Sequence, residues 1–132
     1  MNILTPIGFL KVGGIILILV AILGFIGIIG PTADSLFGTA WYFDDAENIA
    51  HLVLGIVAWI LVYYGSENIQ KLVVQILGVV GILVGLYSII GPVTTGTNLL
   101  GAQLQNPTDT ILHIAVGAWA LYAGFSKKEQ TM

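Results

Sequence analysis

Four long apolar runs, separated by short polar stretches, take up nearly the whole chain: residues 7–30, 47–64, 69–91 and 108–125. Each has about 18 residues or more, enough to cross a hydrocarbon core as a helix rising 1.5 Å per residue. The pattern predicts an all-α membrane protein of four transmembrane helices with no separate soluble domain.

The runs come in two related pairs. Residues 20–31 read V-A-I-L-G-F-I-G-I-I-G-P and residues 81–92 read G-I-L-V-G-L-Y-S-I-I-G-P. Residues 44–58 read D-D-A-E-N-I-A-H-L-V-L-G-I-V-A, and residues 106–120 read N-P-T-D-T-I-L-H-I-A-V-G-A-W-A. The matching prolines are 61 residues apart and the two histidines 62, so one net residue inserted in a loop reconciles the two. This is the signature of two tandem, parallel-repeat helical hairpins, residues 1–66 and 67–132. A removable leader is the alternative for the first run. That run is longer than a typical leader core, no small-x-small cleavage site follows it, and its copy is internal.

Composition agrees with a lipid solvent. The chain is 57% hydrophobic and 8% charged, with a mean hydropathy of +0.97, whereas soluble domains carry about 25% charged residues. Without cysteine, neither a disulfide nor a thiolate metal site is available. With no arginine and no basic cluster, nucleic-acid binding has no support. The charges sort by side. Lys11, Lys71, Lys127 and Lys128 fall on one side of a four-span arrangement, and Asp34, Asp44, Asp45, Glu47 and Asp109 on the other. The positive-inside tendency then places both termini in the cytoplasm, across the inner membrane.

Local signals refine the elements. Both odd spans end in I-I-G-P, where glycine accepts left-handed dihedrals and proline stops the helix. The second span opens with Asp44 and Glu47 in capping-box spacing. In the fourth, Asn106 takes the cap, Pro107 the first turn, and Asp109 the place of Glu47. Trp41, Tyr42 and Phe43 in the first outer connection read as an interfacial aromatic belt. Small residues form stripes: Gly78, Gly81, Gly85 and Ser88 in the third span; Ala21, Gly24 and Gly27 in the first; Gly55 and Ala58 in the second; Gly117, Ala120 and Gly124 in the fourth. In lipid, close backbone approach across such residues drives helix association, within the bundle or with another chain.

The only two histidines, His51 and His113, occupy equivalent places in the repeat. Each sits about 10 Å along its helix from the outer cap, at equal depth, on a stripe shared with Glu47 and Gly55 or with Asp109 and Gly117. Three readings follow. The histidines hydrogen-bond inside the bundle, to the acid one turn earlier, and lock the helices together. Alternatively they are axial ligands of a haem or (bacterio)chlorophyll-type ring, with Gly55 and Gly117 making room for it. In the third reading, Glu47, His51, Asp109 and His113 form a metal, ion or proton site at the outer mouth of a small pathway. No nucleophile–base constellation, phosphate loop, zinc-protease motif or dinucleotide fingerprint is visible, so an enzyme is not expected.

The segments N-I-A-H-L-V-L-G at residues 48–55 and T-I-L-H-I-A-V-G at residues 110–117, with L-G-F at residues 23–25, resemble a family of small four-span bacterial and archaeal membrane proteins of unknown function. The resemblance implies a four-helix membrane fold and brings no activity. Thr110 departs from it, standing where the first copy has Asn48. Taken together, these features lead us to expect a small accessory subunit, docked to other membrane subunits or to copies of itself.

Overall fold

A computed structural model describes residues 2–30, 35–90 and 97–126. It contains four helices: α1 (Pro6–Phe25), α2 (Asp45–Tyr64), α3 (Glu67–Ile90) and α4 (Thr108–Phe125). Three of them, α1, α2 and α3, are long and apolar enough to cross a membrane, with mean hydropathies of 2.5, 1.7 and 2.4. The fourth does not reach that measure. Thr108, Asp109, Thr110 and His113 make its first third polar, so the expected fourth span is not established by length and composition.

The helices pack as two antiparallel hairpins, α1 on α2 and α3 on α4, and α1 also touches α3 and α4. Glycines set the separation. A Cβ on Gly117 would lie 2.8 Å from the Ile82 amide and 3.0 Å from the Gly78 carbonyl oxygen. One on Gly81 would lie 3.0 Å from the Gly117 Cα, so α3 and α4 cross glycine on glycine. Gly85 faces Ile114, Gly78 faces Leu121 and Gly124 faces Gln75. In the first hairpin Gly55 meets Ile18 and the Gly14 carbonyl. The core proper fills the half of the bundle nearest Lys11 and Lys71: Phe9, Leu10, Ala58, Val74, Ala120 and Ala123. Beside it Trp119 packs edge-on to Phe9, ring centroids 4.5 Å apart, and its indole donates to the Ile3 carbonyl at 2.8 Å.

Several expectations need correction. The first helix stops at Phe25, not at Gly30, because Gly27 takes a positive φ of 93°. The Ile28 amide then reaches back to the Leu23 carbonyl (3.0 Å), a helix-ending bond that satisfies an otherwise orphaned carbonyl. Gly27 is therefore a terminator and does not belong to the small-residue stripe. Lys11 lies in the second turn of α1, not ahead of it. Asn106 does not cap α4: no side chain caps that helix, and Asn106 Oδ1 instead accepts from the Thr110 hydroxyl at 3.0 Å. The connection between α3 and α4 also contains a short antiparallel ribbon, β1 (Thr97–Leu99) paired with β2 (Ala102–Leu104). Its turn places Leu100 and Gly101 at positive φ. Pro31, Asp34, Pro92, Lys127 and Lys128, used above for helix ends and orientation, lie outside the described residues.

Candidate functional site

The sequence marks the first turns of α2 and α4, and the structure builds the polar part of the molecule there. At α2 the capping box is complete. Asp44 Oδ1 accepts from the Glu47 amide at 2.9 Å, and Glu47 Oε1 accepts from the Asp44 amide at 3.3 Å. At α4 only the reach-back half survives, with Asp109 Oδ2 accepting from the Gln105 amide at 2.7 Å. Each acid thus spends one oxygen on its own helix start. The other oxygens, Glu47 Oε2 and Asp109 Oδ1, are buried and have no hydrogen-bond partner. The residues themselves are 4% and 0% exposed. Glu47 feels the charge of Asp109, and both lie within electrostatic reach of Asp44.

Two carboxyl groups buried together need a balancing proton or cation, since isolated charge in a low-dielectric setting is costly. Among the described residues no lysine supplies it. Lys11 and Lys71 are at the opposite end, and α1 and α3 bring no charged residue to this one.

The histidines flank the pair without closing on it. They are half-buried and within electrostatic reach of each other. His113 Nδ1 donates to the backbone carbonyl of Asp109 at 2.7 Å, since a carbonyl can only accept. His51 Nδ1 is buried with no partner, and its ring lies against Phe43, centroids 5.0 Å apart. Neither imidazole bonds to the acid side chain one turn before it, as a simple locking role requires.

Space beside Gly55 and Gly117 is already taken. Ile18 and Gly14 of α1 fill the first, and Gly78, Gly81 and Ile82 of α3 the second. These glycines serve contact within each hairpin and make no room for a macrocycle between α2 and α4. For a metal, no group of three or more acid or histidine side chains among the described residues is arranged to hold one.

Residues the pattern did not single out complete the site. The loop before α2 folds inward, so Tyr42 and Phe43 are buried and do not form an interfacial belt. Its rings make a ladder, Phe37 to Trp41 at 5.1 Å and Trp41 to Phe43 at 5.5 Å, that ends on His51. The Trp41 indole lies beside Asp109 without forming a well-aligned hydrogen bond. From the other hairpin's ribbon, the Gln103 amide donates to Asp44 Oδ2 at 2.6 Å. A second polar notch lies in the α1–α2 seam. There the Asn48 amide, 0% exposed and unpaired at both ends, fills the gap left by Gly24. Its counterpart, Thr110, meets the Ser88 hydroxyl on α3, and Ser88 also donates to the Gly85 carbonyl at 2.7 Å. No local sequence pattern reveals the Trp41 and Gln103 contributions. Their distance along the chain from the acids hides them in the sequence.

No protein family, curated protein or solved structure matches the chain.

Proposed function

We propose that this is a small multi-pass membrane protein that binds protons at its outer end, on the carboxyl pair Glu47 and Asp109. The observation that supports this reading is the pair itself: two buried acids within electrostatic reach of each other, each with one oxygen committed to a helix start and the other unpaired. A proton suits the pair better than a metal. The hard cations take about six or more oxygen ligands, while the buried unpaired side-chain oxygens among the described residues are those of Glu47, Asp109, Gln103 and, in the α1–α2 seam, Asn48. A tetrapyrrole between the histidines requires room that Gly55 and Gly117 do not supply. The expected subunit role describes the setting in which such a site operates.

The proposal includes four spans in two tandem repeats, with both termini cytoplasmic. In its support, α4 lies along α3 from Gly85–Ile114 to Gln75–Gly124, so a spanning α3 carries its partner across with it. Infrared spectroscopy of the protein in liposomes tests the binding claim. We expect a protonated-carboxyl band that titrates with external pH and is lost or displaced in both Glu47→Gln and Asp109→Asn. A spectrum in which neither variant changes the carboxyl region refutes the reading. An absorption spectrum of the purified protein separates it from ring binding: a visible band that disappears in His51→Ala would favour the tetrapyrrole.

A further inference from the structure

The carboxyl pair is closed off on both sides, and the two closures differ in kind. Toward the lysine-bearing end lies the packed apolar core of Phe9, Leu10, Ala58, Val74, Ala120 and Ala123. The buried polar residues are almost all on the outer side of that core: Ser35, Glu47, Asn48, Ser88, Asp109 and Thr110. Among the described residues only Gln70 is buried beyond it, and its amide is spent on the Leu61 and Gly65 carbonyls. Among the described residues no chain of buried polar side chains links the pair to that side.

Toward the outer side the cover is thin and made of two pieces, one from each hairpin. The loop of residues 35–43 is closed on itself by Ser35, whose hydroxyl donates to the Trp41 carbonyl at 2.7 Å and accepts from the Phe37 amide at 3.1 Å. It is rooted on α1's end through Phe43 N to Ile29 O at 2.7 Å and Leu36 N to Ile28 O at 2.9 Å. The second piece is the ribbon β1–β2. The hydrogen bonds joining one hairpin's cover to the other hairpin are the Gln103 amide to Asp44 Oδ2 (2.6 Å) and the Thr108 hydroxyl to the Ala40 carbonyl (3.2 Å).

From this we infer that the two pieces form a lid over the acid pair, latched across the hairpins by Asp44–Gln103 and Ala40–Thr108, so that protons exchange with the outer side only when the latch opens. The inference rests on the proton-binding reading and adds its route and its gate. Two hydrogen bonds are a weak hold beside the glycine-packed hairpins, so separation at the latch is the low-energy opening of this fold. Among the described residues, the charged and titratable groups within electrostatic reach of the pair are Asp44 at the cap of α2 and His113 on α4, with His51 in reach of both of those, and none comes from α1 or α3. The core behind the pair makes the site a receptor for external protons and not a conduit.

The absence of native cysteine makes the test direct. Ala40→Cys and Thr108→Cys are introduced together and bridged with a short cleavable thiol reagent. Hydrogen–deuterium exchange of the carboxyl band of Glu47 and Asp109 is then followed after adding heavy water outside the liposomes. We expect exchange to be lost on bridging and restored on cleavage, and to be faster than native in Thr108→Val, which removes one latch bond. A band that is present but exchanges equally fast with and without the bridge overturns the lid alone. If the unbridged protein has no such band, the proton reading fails and takes the lid with it. Proton flux through liposomes that Glu47→Gln abolishes would overturn the outer-side restriction.

Discussion

The two hairpins share a sequence pattern and resolve it differently, and three substitutions account for most of the contrast. Where α1 has Gly27, α3 has Ser88. The glycine turns left-handed and ends α1 at Phe25, whereas the serine leaves α3 helical to Ile90 and bonds to Gly85 and Thr110. Where α1 has Val20, α3 has Gly81, which lets α3 and α4 meet backbone to backbone at Gly117. Where α2 has Asn48, α4 has Thr110: the longer amide fills the Gly24 notch unpaired, and the shorter hydroxyl joins a bonded network. The second hairpin is thus the better satisfied of the two. The first keeps more of the orphaned groups, on Trp41, Glu47, Asn48 and His51 against one oxygen each of Gln103 and Asp109 in the second, and carries the aromatic loop that covers the site. Unmet polar groups in a low-dielectric interior mark where stability has been given up for something else.

The largest test of this contrast is at the crossings. Gly117→Ala should destabilise by about 2–3 kcal/mol, because its new methyl meets only α3 backbone. Gly55→Ala should cost about 1 kcal/mol less, since its nearest obstacle is the movable Ile18 side chain. Unfolding by denaturant in detergent micelles measures both, and equal losses would show the two crossings to be equally close.

The helix starts come next. Asp44→Ala removes a cap and the Gln103 bond together, and should cost about 1–2 kcal/mol. Asn106→Ala removes only an acceptor for the Thr110 hydroxyl, about 0.5–1 kcal/mol. The reverse order in the same titration would return the capping role to Asn106. The smallest effects are expected at the seams. Thr110→Val should cost about 1 kcal/mol, while Asn48→Ala should be nearly neutral, its lost packing offset by relief of an unpaired amide. A loss at Asn48 equal to that at Thr110 would mean that the amide has a partner, such as a buried water.

Much of the architecture is legible in the chain because it rests on local physics. The starts of the helices, and the lengths of all but α1, follow closely from the apolar runs. The Asp44–Glu47 box follows from three-residue spacing. The close α3–α4 approach is implied by Gly78, Gly81, Gly85 and Gly117 at helical intervals, because a missing Cβ leaves a groove whatever surrounds it. The matching places of His51 and His113 in the two similar stretches are likewise read directly from the chain. Two differences were local as well: Gly27, expected in the small-residue stripe, ends α1 ahead of the I-I-G-P motif, and Asn106, expected as the cap of α4, bonds Thr110 while Asp109 alone serves that helix start. Sequence spacing does not rank such rivals.

What tertiary structure alone decided is which surface each residue meets. Gly55 and Gly117 carry the same spacing from a histidine whether they face a cofactor or a neighbouring helix, and only the packed hairpin shows α1 and α3 against them. Trp41 and Phe43 look like interfacial aromatics until the loop is seen folded over His51. Gln103 and Asp44, 59 residues apart, have no local reason to meet. Helix propensity and hydropathy act over a few turns, whereas the carboxyl pair, its orphaned oxygens and its two-piece cover arise when distant segments compete for the same buried space.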